Sequence, residues 1–164
     1  REQIIRMVDG TREREEGNIL VGGGILRGKA YETGYFFHPT LVTDVVPGSC
    51  LVTEELFGPV LPVMAVPDLD AAIRAANTSR YGLGASVWTK NIHTAKRVFD
   101  EVKAGMIWVN RHLTVPPEVP FGGNLESGLG RENGAEAIEG YLQTKSVWIN
   151  NGAGGGKPII MKTS

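Results

Sequence analysis

The chain has 164 residues, 41% hydrophobic and 21% charged, with a formal net charge of -1. That length suffices for one domain with a real core, and the composition is far from that of a disordered chain. The charge excludes a basic field for nucleic acid or an anionic membrane surface, and no apolar run approaches the ~20 residues that span a bilayer.

The chain opens on Arg1-Glu2-Gln3-Ile4-Ile5-Arg6-Met7-Val8. Ile4, Ile5 and Val8 already share a helical face, so a charged helix is expected from about Arg1 to Glu16, weakened at Gly10. With no initiator methionine and no signal peptide, this start reads as a cut through a longer protein. Ile19-Leu20-Val21 and the turn glycines Gly22-Gly23-Gly24 follow. Two extended stretches are expected at Tyr35 to Val46 and Val60 to Val66, both rich in β-branched and aromatic residues.

The period then changes. Asp68 is a candidate N-cap for a helix with Leu69, Ala72, Ile73 and Ala76 on one face, and Ala85-Ser86-Val87-Trp88 reads as a strand. Asn91 caps a second helix, with Ile92, Ala95, Phe99 and Val102 on one side and Gly105 as its stop. Met106-Ile107-Trp108-Val109 is another apolar strand. Helices alternating with short buried strands predict an α/β fold, a parallel sheet with helical crossovers. A Pro- and Gly-rich loop runs from Asn110 to Gly130, a length usually reserved for function. A helix over about 132–142, a strand over 144–150 and a flexible tail over 151–164 complete the chain. There is no internal repeat.

Most of the motif signals reduce to plain structure. Cys50 is the only cysteine, so no internal disulfide forms, and a reducing, cytoplasmic setting is expected. In that setting the sequon Asn77-Thr78-Ser79 goes unread. His38, His93 and His112 show no metal-ligand spacing, and no metal is expected. Gly152 to Lys157 fails as a phosphate loop, with Asn151 at the first glycine position and Pro158 where a hydroxyl is needed. Gly128-Leu129-Gly130 lacks the third glycine of a dinucleotide fingerprint and follows a loop. No serine sits in a nucleophile elbow.

Two segments stand apart. In Glu54-Glu55-Leu56-Phe57-Gly58-Pro59-Val60, a carboxylate can accept two ribose hydroxyls and a phenyl ring two residues on can lie against an aromatic ring. The plain alternative is two solvated carboxylates before a turn. The second segment runs from Pro120-Phe121-Gly122-Gly123 through Gly128-Leu129-Gly130-Arg131 to Gly134, and its plain reading is a loop capping a helix.

At these segments the chain resembles the aldehyde dehydrogenase superfamily. EELFGPV is similar to that family's glutamate-phenylalanine motif, and PFGGNLESGLGRENG to its C-terminal signature. GYFFHPTLV, ANTSRYGLGASVWT, AGMIWVN and YLQTKSVWI agree in order and separation, so the resemblance reaches Asn150. It implies that residues 1–142 are the C-terminal part of a catalytic domain and 143–150 an oligomerisation strand that joins another subunit's sheet. It implies NAD or NADP as cofactor, held by Glu55 at the nicotinamide ribose and Phe57 beside the nicotinamide. It also implies that Asn110 to Phe121 walls an aldehyde tunnel, with Arg111, His112, Leu113, Val115, Glu118 and Phe121 as substrate-binding residues. The expected partners are a small-molecule aldehyde and further copies of the chain, as a dimer or tetramer.

In that family a cysteine thiolate attacks the aldehyde, hydride passes to the coenzyme, and a glutamate-activated water releases the acid. The resemblance places the nucleophile, the general-base glutamate and the coenzyme domain ahead of Arg1, so no catalytic residue is expected in this chain. Cys50, a few residues before Glu54, is expected to pack. The rival reading is a free-standing module that keeps the fold for assembly or ligand binding and has lost catalysis. For the substrate, Glu118 near the tunnel mouth favours a cationic amine on the aldehyde and Arg111 a carboxylate, while both as rim charges is an equal alternative.

Overall fold

The computed structural model describes residues 1–149; the end of the expected last strand at Asn150 and the tail over 151–164 lie outside the described residues. The fold is α/β. Helix α1 spans Glu2–Glu13 and buries Ile4 and Val8 of the expected face together with Met7 and Thr11, while Ile5 is half-buried. It closes three residues before the expected Glu16, where Glu15 turns into the left-handed region at φ 54°.

Strands β1 (Asn18–Val21), β2 (Thr40–Thr43) and β3 (Val60–Pro62) form one sheet in that order. The β1–β2 pair is antiparallel with a register shift between Ile19 and Val21, and β2–β3 is parallel. The long extended stretches expected here shrink to these short strands. Gly22 shows why β1 turns where it does: at φ 78°, a Cβ would sit 2.3 Å from the Pro39 carbonyl. Helix α2 (Cys50–Thr53) crosses between β2 and β3, capped by Ser49, whose Oγ accepts from Leu51 N. The core of this region joins Ile4, Met7, Val8, Phe37, Val42, Val45, Leu51 and Val60.

Helix α3 (Leu69–Asn77) begins at the expected cap, with Asp68 accepting from Ala71 N, and ends before Gly82. After it come β4 (Tyr81–Gly82), β5 (Gly84–Val87), helix α4 (Ile92–Glu101) and β6 (Met106–Val109). Asn91 accepts from His93 N and Thr94 N, as a cap should. The buried face of α4 is Ala95 and Val98, rotated from the expected Ile92–Phe99 stripe, and Ile92 and Phe99 are exposed. The Phe99 ring instead receives Lys96 Nζ, 5.3 Å from its centroid. β5 and β6 are parallel, Gly84 opposite Met106 through Val87 opposite Val109, so β5–α4–β6 is the expected crossover unit.

The single parallel sheet resolves into three small ones, the third pairing β4 antiparallel with β7 (Asn124–Leu125) inside the long loop. Residues Ala135–Tyr141 form a 3-10 helix in place of the expected α-helix. It follows Gly134 at φ 64° and contains Gly140, and it buries no side chain, so nothing favours the longer α-form. No strand forms over 144–149: a strand needs a paired edge, and these residues meet none within the described chain. No described helix is long and apolar enough to cross a membrane.

Candidate functional site

The glutamate-phenylalanine segment is an irregular span between α2 and β3. Its inward anchor is Leu56, packed against the core, while at Gly58, itself exposed, a Cβ would stand 2.9 Å from Ile4 Cδ1. Alternation then turns Glu55 and Phe57 outward, and Phe57 is 88% exposed. Among the described residues Glu55 makes no hydrogen bond or ion pair, so its acceptor capacity is uncommitted. An exposed carboxylate two residues from an exposed ring fits a ribose and its attached aromatic base.

The loop from Asn110 onward is fastened by polar contacts to β5 and β6. Asn110, itself at φ 52°, accepts from Thr89 N and donates to Thr89 O, both at 2.8 Å. Trp108 Nε1 donates to Thr114 O at 2.8 Å, and Arg111 Nε reaches Thr114 Oγ1. His112 Nδ1 shares a 2.7 Å hydrogen bond with Ser86 Oγ, and its ring stands edge-on to Trp108. Leu113 is 67% exposed in a left-handed conformation, an unfavourable backbone setting for a branched side chain. Val115 and Phe121 are half-buried, and Glu118 is exposed with no ion pair among the described residues.

Beyond Phe121 the backbone bridges to Glu132 in both directions, Phe121 N to Glu132 O and back. Arg131 holds the interior of the loop, donating to the carbonyls of Gly123 and Gly130 and to Asn124 Oδ1, each at 2.8 Å. Gly105 lets the loop pass over the start of β6, since a Cβ there would lie 1.9 Å from the Gly122 carbonyl.

No direct hydrogen bond or ion pair joins Glu55 or Phe57 to this loop among the described residues. The link is Arg80, which sequence reasoning did not single out. Its Nη2 bonds Glu54 Oε2 at 2.7 Å, and its Nη1 lies 3.5 Å from Glu126 Oε2. Tyr81 first and the Glu54 carboxylate next raise the guanidinium's pKa above its ordinary value. No periodicity marks a pair 26 residues apart. Arg131 carried a signal, as the single cation in a stretch of glycines whose carbonyls need donors. A groove of about 810 Å³ between α2 and α3 is lined by Val52, Met64 and Ala72 with Glu54 and Arg80, and neither Glu55 nor Phe57 lines it.

Cys50 has other contacts. Half-buried at the start of α2, it packs on the core, with Sγ 3.8 Å from the Met7 carbonyl and 3.8 Å from Arg14 Nη2. Arg14 in turn is paired with Glu16 at 2.7 Å. His38 and His93 are exposed, and no group of three or more His, Cys, Asp or Glu among the described residues could hold a metal ion.

The sequence pattern of the aldehyde dehydrogenase family matches residues 1–147. The chain belongs to the aldehyde dehydrogenase family. A betaine aldehyde dehydrogenase of Brucella anthropi is 39% identical over 152 residues, 93% of this chain and 31% of that protein. An aldehyde dehydrogenase structure from Bacillus cereus superposes with a TM-score of 0.83 at 39% identity, covering 91% of this chain and 29% of its own. A betaine aldehyde dehydrogenase from Staphylococcus aureus, solved with NAD+, gives 0.82 at 37% identity, covering 88% of this chain and 29% of its own. The chain therefore spans about a third of the length of the relatives it matches.

Proposed function

We propose that this chain is the C-terminal part of the catalytic domain of an NAD(P)-dependent aldehyde dehydrogenase, over residues 1–142, followed by an oligomerisation strand over 143–150. The whole enzyme oxidises an aldehyde to a carboxylic acid through a cysteine thiohemiacetal and thioester. The observation that carries the reading is the outward pair Glu55 and Phe57, exposed on either side of Leu56, which packs against the core. Glu55 accepts the nicotinamide ribose hydroxyls and Phe57 flanks the nicotinamide, while Arg111, His112, Leu113, Val115, Glu118 and Phe121 face the aldehyde. When bound, the coenzyme accepts hydride. This chain's residues orient it and shape the tunnel, and the nucleophile and general base come from elsewhere in the enzyme. The single free thiol supports a reducing, cytoplasmic setting.

For the substrate class, an aldehyde bearing a cationic amine fits best. Arg111 donates to Thr114 Oγ1, whereas Glu118 is exposed and has no ion pair among the described residues. The relatives named for betaine aldehyde, a quaternary ammonium compound, support the same charge. In the complete enzyme, Glu55→Gln should weaken coenzyme binding and slow hydride transfer, roughly ten- to a hundredfold combined, as a charge-assisted hydrogen bond is lost. Unchanged coenzyme affinity together with an unchanged single-turnover rate contradicts the role. Relative kcat/KM for an aminoaldehyde, an uncharged aldehyde of equal length and succinic semialdehyde tests the substrate class, and preference for either of the last two overturns it.

A further inference from the structure

We propose that Arg80 is a positioning residue for the coenzyme-binding loop, acting through Glu54; this rests on the ribose-binding reading of Glu55. Two carboxylates, one from each site segment, approach one another: Glu54 and Glu126. Arg80 is the cation between them, bonded to Glu54 at 2.7 Å and 3.5 Å from Glu126. Its own backbone is fixed independently of those contacts. The Arg80 carbonyl accepts from Glu126 N at 3.0 Å, Tyr81 pairs with Leu125, and Gly82 N donates to Ser127 Oγ at 3.0 Å. The guanidinium lies 5.0 Å from the Tyr81 ring centroid, which limits its swing.

The α2 helix ends at Thr53, and Glu54 is the first residue of the irregular span that presents Glu55. Leu56 fixes that span on the far side of Glu55, and Arg80 fixes the near side. Without the cation, Glu54 and Glu126 repel each other, and an unneutralised charge stands beside the carboxylate that must accept the ribose. An exposed ion pair adds little to global stability. A small shift of a binding carboxylate is read directly in affinity.

The test is coenzyme kinetics in the complete enzyme. Arg80→Ala should raise the coenzyme KM about three- to fivefold, the range of an exposed ion pair, with kcat changed less than about twofold. Arg80→Lys should recover part of the loss, and Arg80→Glu alone should exceed it. Arg80→Glu combined with Glu54→Arg should return the KM toward the wild-type value, and high salt should narrow the gap between wild type and Arg80→Ala. A role in folding alone would instead lower kcat and the melting temperature together, with no recovery in the swapped pair, and that result overturns the proposal. It is equally overturned if Arg80→Ala leaves the coenzyme KM unchanged while Glu55→Gln raises it, which leaves the ribose contact standing. If Glu55→Gln also changes nothing, the ribose-binding reading fails and this inference fails with it.

Discussion

Residues 2–62 and residues 110–149 are built on different principles. In the first region Val8, Thr11, Val42, Ser49 and Leu51 are at most 2% exposed, and α1, α2 and the three-stranded sheet close over them. In the second, Gly123 is the one fully buried residue described, while Leu129 is wholly exposed, Tyr141 is 89% exposed and Trp148 78% exposed. That region is held by side-chain-to-backbone hydrogen bonds from Asn110, Trp108 and Arg131. Apolar burial is non-directional and sums to most of a domain's stability, whereas a net hydrogen bond contributes about 1 kcal/mol and fixes a direction. The first region is therefore a platform, and the second is a set of aimed segments whose apolar side chains stand largely exposed.

The sharpest test of that contrast is a pair of truncations. Leu51→Ala should destabilise the protein by about 2–5 kcal/mol in urea unfolding, through lost burial and a residual cavity. Leu129→Ala, which removes a side chain that touches little, should stay within about 0.5 kcal/mol. Equal effects would erase the distinction between platform and aimed segment.

Next in size is assembly. Val147, Trp148 and Ile149 are 55%, 78% and 79% exposed in a β-prone sequence with no partner among the described residues. Such a segment is a template for another chain's sheet edge. Deleting from Thr144 onward in the complete enzyme should convert an oligomer into monomers or aggregates by light scattering. A deletion variant that keeps its original size places the assembly surface elsewhere.

The smallest effect falls between the two regions, where Arg97 joins α4 to α3 through Asp70 and pairs with Glu101 along its own helix, each at 2.7 Å. Arg97 holds the Glu101 carboxyl below its ordinary value of 4.5. A carboxyl depressed in the folded state adds stability above its unfolded pKa and loses it as pH falls through the folded one. Arg97→Ala should therefore lower the melting temperature by only about a degree or two near neutrality, and the difference should shrink as pH falls below 4.5. A difference that grows on acidification contradicts this pairing.

How far the sequence foretold these features follows the same division. Elements that declare themselves locally are where the pattern puts them: the caps Asp68 and Asn91, the crossover β5–α4–β6, and the apolar stripe of α1. Elements that depend on a distant partner are not. The sheet divides because β4 pairs with a two-residue strand inside the loop, some 40 residues on, and no period of two announces Asn124–Leu125. The 3-10 helix at Ala135–Tyr141 displaces the expected α-helix because it has no buried face to reward the longer form. At the site, Glu55 and Phe57 were legible as residue types in a resembling motif. Arg80, which ties their loop to the glycine-rich one, was invisible because its ion pairs join residues 26 and 46 positions apart.

The proposed function divides the labour: this chain binds and orients, and the nucleophile lies elsewhere in the enzyme. Cys50 is the residue on which it turns, since it is the only thiol here and it packs against the core with its Sγ 3.8 Å from the Met7 carbonyl. Covalent catalysis needs a thiolate held at the reacting carbon, a placement that supplies roughly 7–11 kcal/mol of barrier reduction. The decisive measurement is steady-state turnover of Cys50→Ser in the complete, well-folded enzyme. Turnover within a few-fold of wild type is the result predicted, and abolished turnover with an unchanged melting temperature would contradict the account.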